Sequence, residues 1–314
     1  MMPNIPTRRL GAGGPLVPAL GFGCMGLSEF YGKPLPDEER FKVLDRVVEL
    51  GAIVLDTSDT YKDNEDVLAR WLKYSGSRDK VFLCTKFGFS RGADGNPTVC
   101  SSPGYVRKAC EKSLKRLGVD KIDLYYCHRV DPNTPIERTI EAMVQLKNEG
   151  RIDHIGLSEV SSDTLRRAHK IHPIAAVQLE YSPFALDIER DELKSPDDFD
   201  DTDFRKHAPK YSKENWHNNM QLVELLKSMA EKKGCTPGQL SLAWIMAQGE
   251  DIIPIPGTKR IKYLEENLGA LDVNLSNEEE ETIRKQIEKV EVVGERYSAA
   301  LQGWCFGDTV PLDS

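Results

Sequence analysis

The sequence predicts an α/β protein built on a parallel barrel, and three observations carry that expectation. Six short apolar runs between Leu20 and Leu179 alternate with segments of helical period. Strands buried on both faces and joined by helical crossovers make a parallel sheet. Ionisable side chains gather at the ends of three successive runs: Asp56 to Tyr61, Lys86 and His128. In a parallel barrel such strand ends converge on one mouth. No Gly-rich dinucleotide fingerprint follows the first strand, which favours a closed barrel over an open sheet.

The elements follow in order. Arg8-Arg9-Leu10-Gly11 and Leu16-Val17-Pro18-Ala19 flank the turn Ala12-Gly13-Gly14, so a hairpin over 7–19 is expected to plug one barrel end. Leu20-Gly21-Phe22-Gly23 reads as the first strand. The glycines there permit either close backbone approach to a ligand or an ordinary turn. Phe41, Leu44, Val47 and Val48 predict a helix over 37–50, stopped by Gly51. Then come strand 53–55, helix 64–74, strand 80–86, helix 103–117 with Pro103 in its first turn, and strand 122–127. Helix 135–147, strand 154–158, helix 162–169 and strand 174–179 complete the regular part.

After Leu179 the beat breaks. Residues 187–219 are acidic and polar, without four consecutive apolar residues, so no buried strand is placed there. A loop of that length is unusual inside a domain. Helices 220–233 and 237–248, strand 252–256, and helices 261–271 and 277–290 follow, the last capped by Ser276. The tail, 291–314, reads as irregular. The count is seven strands where an eight-fold barrel needs eight, within a single domain spanning 1–314.

Composition narrows the function classes. A net charge of −8 argues against a nucleic-acid surface. No apolar run is long enough for a membrane span, and Met1 to Leu10 lacks the apolar core of a signal peptide. Seven scattered cysteines without a CxxC pair suggest buried thiols in a reducing cytoplasm.

The residue types at the mouth suggest carbonyl reduction. Tyr61 is a phenol with an ordinary pKa near 10. An ammonium at Lys86 is expected to lower that value, and a carboxylate at Asp56 to keep Lys86 charged and in place. His128 can orient a carbonyl oxygen. None of these groups supplies hydride, so a nicotinamide is implied. Taken singly, each has a blander explanation as a core or ion-pair residue; their joint occurrence at strand ends raises the functional reading.

Asp56-Thr57-Ser58-Asp59-Thr60-Tyr61, Thr85-Lys86, His128, Gly156-Leu157-Ser158-Glu159, Gln178-Leu179-Glu180-Tyr181-Ser182 and Ile255-Pro256-Gly257-Thr258 together resemble the aldo-keto reductases, in the branch that carries Gly-Leu-Ser-Glu. The resemblance implies a (β/α)8 TIM barrel that binds NADPH without a Rossmann domain and reduces an aldehyde or ketone to an alcohol. By it, Tyr61 is the general acid, Lys86 and Asp56 tune it, and His128 orients the carbonyl. Ser158 and Gln178 hold the nicotinamide carboxamide, with Gly23, Cys24 and Met25 lining that end. Gly257, Thr258, Lys259 and Arg260 open a helix, a seat for phosphate, and the two cations favour NADP over NAD. Glu266 and Asn267 fall where the family holds adenine. No metal is implied.

Two departures from the family pattern stand out. Tyr61 is usually followed by Gly, and here by Lys62, expected to point to solvent. The helix and seventh strand that should precede residue 194, with a loop clasping the pyrophosphate, are expected to be missing. Asp187 to Leu193 runs directly into Lys194-Ser195-Pro196, which resembles the stretch after that loop. This leaves an alternative reading: a relative that keeps the catalytic residues but acts as a binding protein. Phe30, Tyr31, Phe87, Phe89, Trp304 and Phe306 suggest a mouth suited to an apolar or aromatic carbonyl. Oligomeric state is not readable from the sequence.

Overall fold

The computed structural model describes residues 5–91, 97–183, 203, 205, 208–290, 292–297 and 303–312. Its central feature is a six-stranded parallel sheet. Strands β3 (Phe22–Gly23), β4 (Val54–Asp56), β5 (Phe82–Phe87), β8 (Ile122–Cys127), β9 (Ile152–Ser158) and β10 (Ala176–Gln178) lie side by side in that order. The crossovers are helices α1 (Asp37–Leu50), α2 (Asn64–Ser75), α3 (Pro103–Leu117), α4 (Ile136–Asn148) and α5 (Ser162–Ile171). All five place apolar residues in one cluster with the sheet, Ala168 being the buried one from α5. Leu44, Val47, Leu68, Trp71, Val106, Cys110, Ile140 and Met143 are buried there with Phe22, Leu55, Leu83 and Tyr125. Each such large side chain contributes about 1.5–3 kcal/mol of burial.

The hairpin also forms. Strands β1 (Thr7–Arg9) and β2 (Leu16–Pro18) pair antiparallel. Val17 enters a cluster with Val54, Cys84, Leu124 and Tyr126 inside the arc of strands. The Arg8 guanidinium donates to the carbonyls of Met246, Gly249 and Ile252, tying the hairpin to the last third of the chain. A second hairpin, β6 (Phe89–Arg91) with β7 (Pro97–Val99), follows β5 and has no counterpart in the sequence reading.

Residues 252–256 differ from the expected strand. They lie beside β3, where Gly21 and Gly23 donate their N–H groups to the carbonyls of Pro254 and Pro256 at 2.9 and 3.3 Å. Pro254 and Pro256 have no N–H to return, so a reciprocal ladder cannot form at these positions. The segment fills the place of a barrel strand without becoming one.

The last third has its own core. Helices α6 (Lys213–Lys233), α7 (Pro237–Ala247), α8 (Ile261–Leu268) and α9 (Asn277–Ile287) follow in the chain. From α6, α7 and α9, Leu222, Leu226, Leu240, Trp244 and Ile283 form a separate buried cluster. Helix α6 starts at Lys213, seven residues before the expected Met220, because the Ser212 hydroxyl accepts from the Asn215 N–H as N-cap. Helix α8 ends at Leu268 and continues as a 3-10 turn, and α9 ends at Ile287.

The described parts of the tail are irregular but pinned. Asn219 on α6 clamps the backbone of Val293 through both its amide atoms. Gly307 makes a parallel bridge with Val160, and the Thr309 hydroxyl accepts from the N–H of Ile136 at the start of α4. The acidic run from Asp187 to Asp200, where a helix–strand unit is expected to be absent, lies outside the described residues. Among the described residues β10 pairs only with β9, and no strand stands between β10 and Ile252–Pro256.

Candidate active site

Parallel strands deliver their last residues to one rim, and backbone bonds there fix the loops that follow. Thr57 N–H donates to Cys84, Asp59 N–H to Lys86, and His128 N–H to Phe87, at 2.7–3.1 Å. The loop after β4 and the residue that follows β8 are therefore stapled to β5 before any side chain is considered.

The four expected catalytic side chains meet at this rim, all buried. Lys86 is fully buried; its ammonium donates to Asp56 Oδ1 at 2.5 Å and to the Thr57 carbonyl at 2.8 Å. Burial works against that charge, but the Asp56 carboxylate, Tyr61 and Cys84 together outweigh it and hold Lys86 above the ordinary lysine range. Lys86 Nζ lies 5.1 Å from the centre of the Tyr61 ring. The imidazole of His128 meets that ring edge-on, with centres 5.8 Å apart.

The phenol departs from expectation. Burial pushes Tyr61 above its ordinary pKa, and the opposing pull of Lys86 does not cancel that push. Desolvation wins because removing water from a phenolate costs more than one ammonium, itself shared with Asp56, restores. Tyr61 is thus protonated at neutral pH. His128 is held neutral: burial first, then Lys86 and Arg129, put it well below the ordinary histidine range. Its Nδ1 lies 3.1 Å from the Ser58 hydroxyl. When the Ser58 hydroxyl donates to Nδ1, the neutral ring carries its proton on Nε2 and can donate from there.

The expected cofactor residues divide into two groups. Ser158 and Gln178 are directly paired in the β9–β10 register, at the same rim. The Gln178 amide donates to Asp56 Oδ2 at 3.0 Å, a link to the buried rim carboxylate that the sequence does not show. Arg129 Nη1 donates to Ser158 Oγ at 3.4 Å. Gly23 and Gly257 face each other: a Cβ on Gly257 would lie 2.5 Å from the Gly23 carbonyl, and one on Gly23 would lie 2.7 Å from the Ile255 carbonyl. Their missing side chains admit the neighbouring backbone. Cys24 is buried, its N–H on the Asp56 carbonyl, and Met25 opens a 3-10 turn.

At the other end, Arg260 is the N-cap of α8 and Thr258 Oγ1 accepts from the Arg260 N–H at 3.1 Å. The Lys259 ammonium reaches the Tyr31 carbonyl across the mouth. Glu266 accepts from the Thr236 hydroxyl at 2.9 Å, and Asn267 is buried. Lys62 adopts a left-handed φ of 43°, which explains why glycine suits the position after the tyrosine, and its side chain is 65% exposed. Among the aromatic candidates, Phe30 stands edge-on to Tyr61 and Phe89 to His128. Phe87 is instead a core residue stacked on Tyr125.

This rim, on this sheet, can be set against known proteins. The sequence model of the aldo/keto reductase family matches residues 19–197 and 189–288. The chain belongs to the aldo-keto reductase family. An aldo-keto reductase of Schizosaccharomyces pombe, named with NADP(+), is 45% identical over 340 aligned positions, covering 98% of this chain and 99% of the relative. Among solved structures, a glycerol dehydrogenase of Gluconobacter oxydans superposes with a TM-score of 0.76 at 22% identity, over 90% of this chain and 95% of that one. An aldo-keto reductase of Klebsiella pneumoniae solved with NADPH gives 0.67 at 24% identity, over 94% and 99%. These aldo-keto reductase neighbours share the barrel type, of which this chain shows a parallel arc of six strands.

Proposed function

We propose that the protein reduces an aldehyde or ketone to the alcohol, with NADPH as the hydride source and Tyr61 as the proton donor. The observation that carries this is the buried meeting of Tyr61, Lys86, Asp56 and His128 at one strand rim. His128, neutral and bonded at Nδ1, presents Nε2 to the carbonyl oxygen and orients it. Tyr61, kept protonated by burial, transfers its proton to that oxygen as negative charge develops there. Lys86 then stabilises the phenolate left behind, and Asp56 keeps the ammonium charged.

The name of the fission-yeast relative and the Klebsiella pneumoniae complex support NADPH as the cofactor. When bound, the nicotinamide supplies the hydride. The chain's residues fit that cofactor at both ends. Ser158 and Gln178, paired at the rim, suit a carboxamide. Thr258, Lys259 and Arg260 at the start of α8 suit a 2′-phosphate, with Glu266 and Asn267 beyond it. The close Gly23–Gly257 approach joins the two ends. The binding-protein alternative is not favoured, because a buried acid–base set of this kind is costly to keep without a use.

We also infer that one helix–strand unit is missing from this chain. Both flanks of the place it would occupy are poorly buried: Val177 and Leu179 are 36% and 43% exposed, and residues 252–256 are only half-buried. The 340 aligned positions with the fission-yeast relative exceed the 314 residues here, so part of that relative has no counterpart.

NADPH titration by fluorescence quenching, followed by turnover of an aromatic aldehyde, tests the reading. Tyr61→Phe is expected to keep NADPH affinity and lose about 10²–10⁴-fold in rate. No NADPH binding, or an unchanged rate in Tyr61→Phe, overturns it.

A further inference from the structure

The loop that carries Tyr61 is held from outside the rim by one guanidinium. Arg116 lies near the C-terminus of α3, one helix away from the loop. Its Nη1 donates to the carbonyl of Asp59 at 3.0 Å, and its Nη2 to the carbonyl of Lys62 at 2.5 Å. These two carbonyls bracket Tyr61. The same group pairs with Glu65 Oε2 at 3.0 Å and Asp66 Oδ2 at 2.7 Å, on the first turn of α2. Five N–H donors in a rigid plane suit this multiple grip, which a lysine could satisfy only in part.

Two details tie the grip to the chemistry. First, Lys62 sits in the left-handed region, at a cost of about 1–2 kcal/mol for a residue with a side chain. Such a conformer persists only where its surroundings over-determine it. Arg116 on its carbonyl does so, and the turn it fixes sets the direction in which Tyr61 leaves the backbone. Second, Glu65 is fully buried and its other oxygen accepts from the Thr85 hydroxyl at 2.8 Å. Thr85 precedes Lys86 on β5. The chain of contacts therefore runs from the Tyr61 loop through Arg116 and Glu65 to the strand that holds the lysine.

We propose that Arg116 is a positioning residue for proton transfer, holding the Tyr61 loop in register with Lys86. This rests on the reading of Tyr61 as the proton donor. Arg116 touches neither substrate nor cofactor in this scheme. Its effect passes through the placement of one phenol, and misplacing a reacting group by about 1 Å costs on the order of 10²-fold in rate.

The test is a double-mutant cycle read by single-turnover reduction under saturating NADPH. Arg116→Gln should slow the chemical step about 10- to 100-fold while NADPH affinity stays within about 2-fold. Arg116→Lys should recover part of the rate. In a Tyr61→Phe background, Arg116→Gln should cost almost nothing more, because the group it positions is gone. Equal losses in both backgrounds, or a parallel fall in NADPH affinity, would show a general structural role and overturn the proposal. If Arg116→Gln does not fold, Arg116→Lys carries the same cycle. The Tyr61→Phe arm separates the two ideas: no loss there sinks the proton-donor assignment itself, whereas a loss there with an additive cycle sinks only the role of Arg116.

Discussion

The two halves of the molecule solve the same architectural problem differently. From β3 to β9 the backbone is satisfied by a parallel ladder, and the central strands β5, β8 and β9 are almost wholly buried. From Lys213 onward the chain satisfies itself largely within helices and keeps a second apolar cluster, and it meets the first half through the proline segment beside β3, Leu264 and Leu268 of α8, and the tail. The proposed acid–base groups all lie on the first half, and the proposed phosphate seat lies on the second. Rigidity is thus concentrated where a proton must be placed to a fraction of an ångström.

Replacing Lys86 by Met attacks the first half at its centre and has the largest expected effect. Asp56 would be left buried without its cation, a change worth about 3–5 kcal/mol. Thermal melting should fall steeply and carbonyl reduction should vanish. A variant with wild-type stability would mean that the ion pair is not what holds the rim.

Gly257→Ala attacks the seam between the halves. The new Cβ would meet the Gly23 carbonyl, a backbone atom that cannot rotate away. We expect a loss of about 1–3 kcal/mol and weaker NADPH binding, with a smaller effect on the rate at saturation. Should the rate fall while affinity holds, the division of labour between the halves is wrong.

A milder probe is Asp59. Burial, reinforced by Glu65, pushes its carboxyl from 3.8 up to about 7, against the pull of Lys112, Arg116 and a hydrogen bond to Ser58. The folded state therefore binds more protons than the unfolded one between those values, and stability falls as pH rises through that window. Asp59→Asn removes this loss. Its melting temperature should exceed that of the wild type by several degrees more at pH 8 than at pH 4. A constant difference across pH would sink the linkage.

The smallest effect is expected at Lys62. Lys62→Gly should relieve the left-handed strain and stabilise the fold by about 1 kcal/mol, seen as a small shift in the denaturant midpoint. Destabilisation instead would mean that the Lys62 side chain matters more than its backbone.

Legibility in the sequence followed the same division. Strand β8 and helix α3 have the bounds the sequence predicts, because doubly buried strands and amphipathic helices leave period and length as clear signals. The four rim residues were visible as ionisable groups at strand ends. Ile252–Pro256 looked like a strand because apolar content does not report missing N–H donors. The start of α6 was hidden because its first turn is polar and its cap is a single serine. The net rise at Tyr61 depends on burial, which residue spacing does not reveal. Arg116 looked like any basic residue near a helix end, where cations are common; its partners are visible only once α2 and α3 are side by side.

The pinned tail has a consequence for biosynthesis. Arg296 bridges Glu159 and Glu180, just beyond the ends of β9 and β10, while Gly307 bridges Val160. These contacts come from residues made long after the sheet. At roughly 5–20 residues per second, the ribosome takes several seconds to tens of seconds to pass from β10 to Gly307. Throughout that interval every proposed catalytic group has been synthesised, yet the rim beside β10 lacks its final fastening. A nascent chain thus exposes the sparsely covered edge of its sheet while its chemistry is already encoded, and chaperones have that interval in which to shield it.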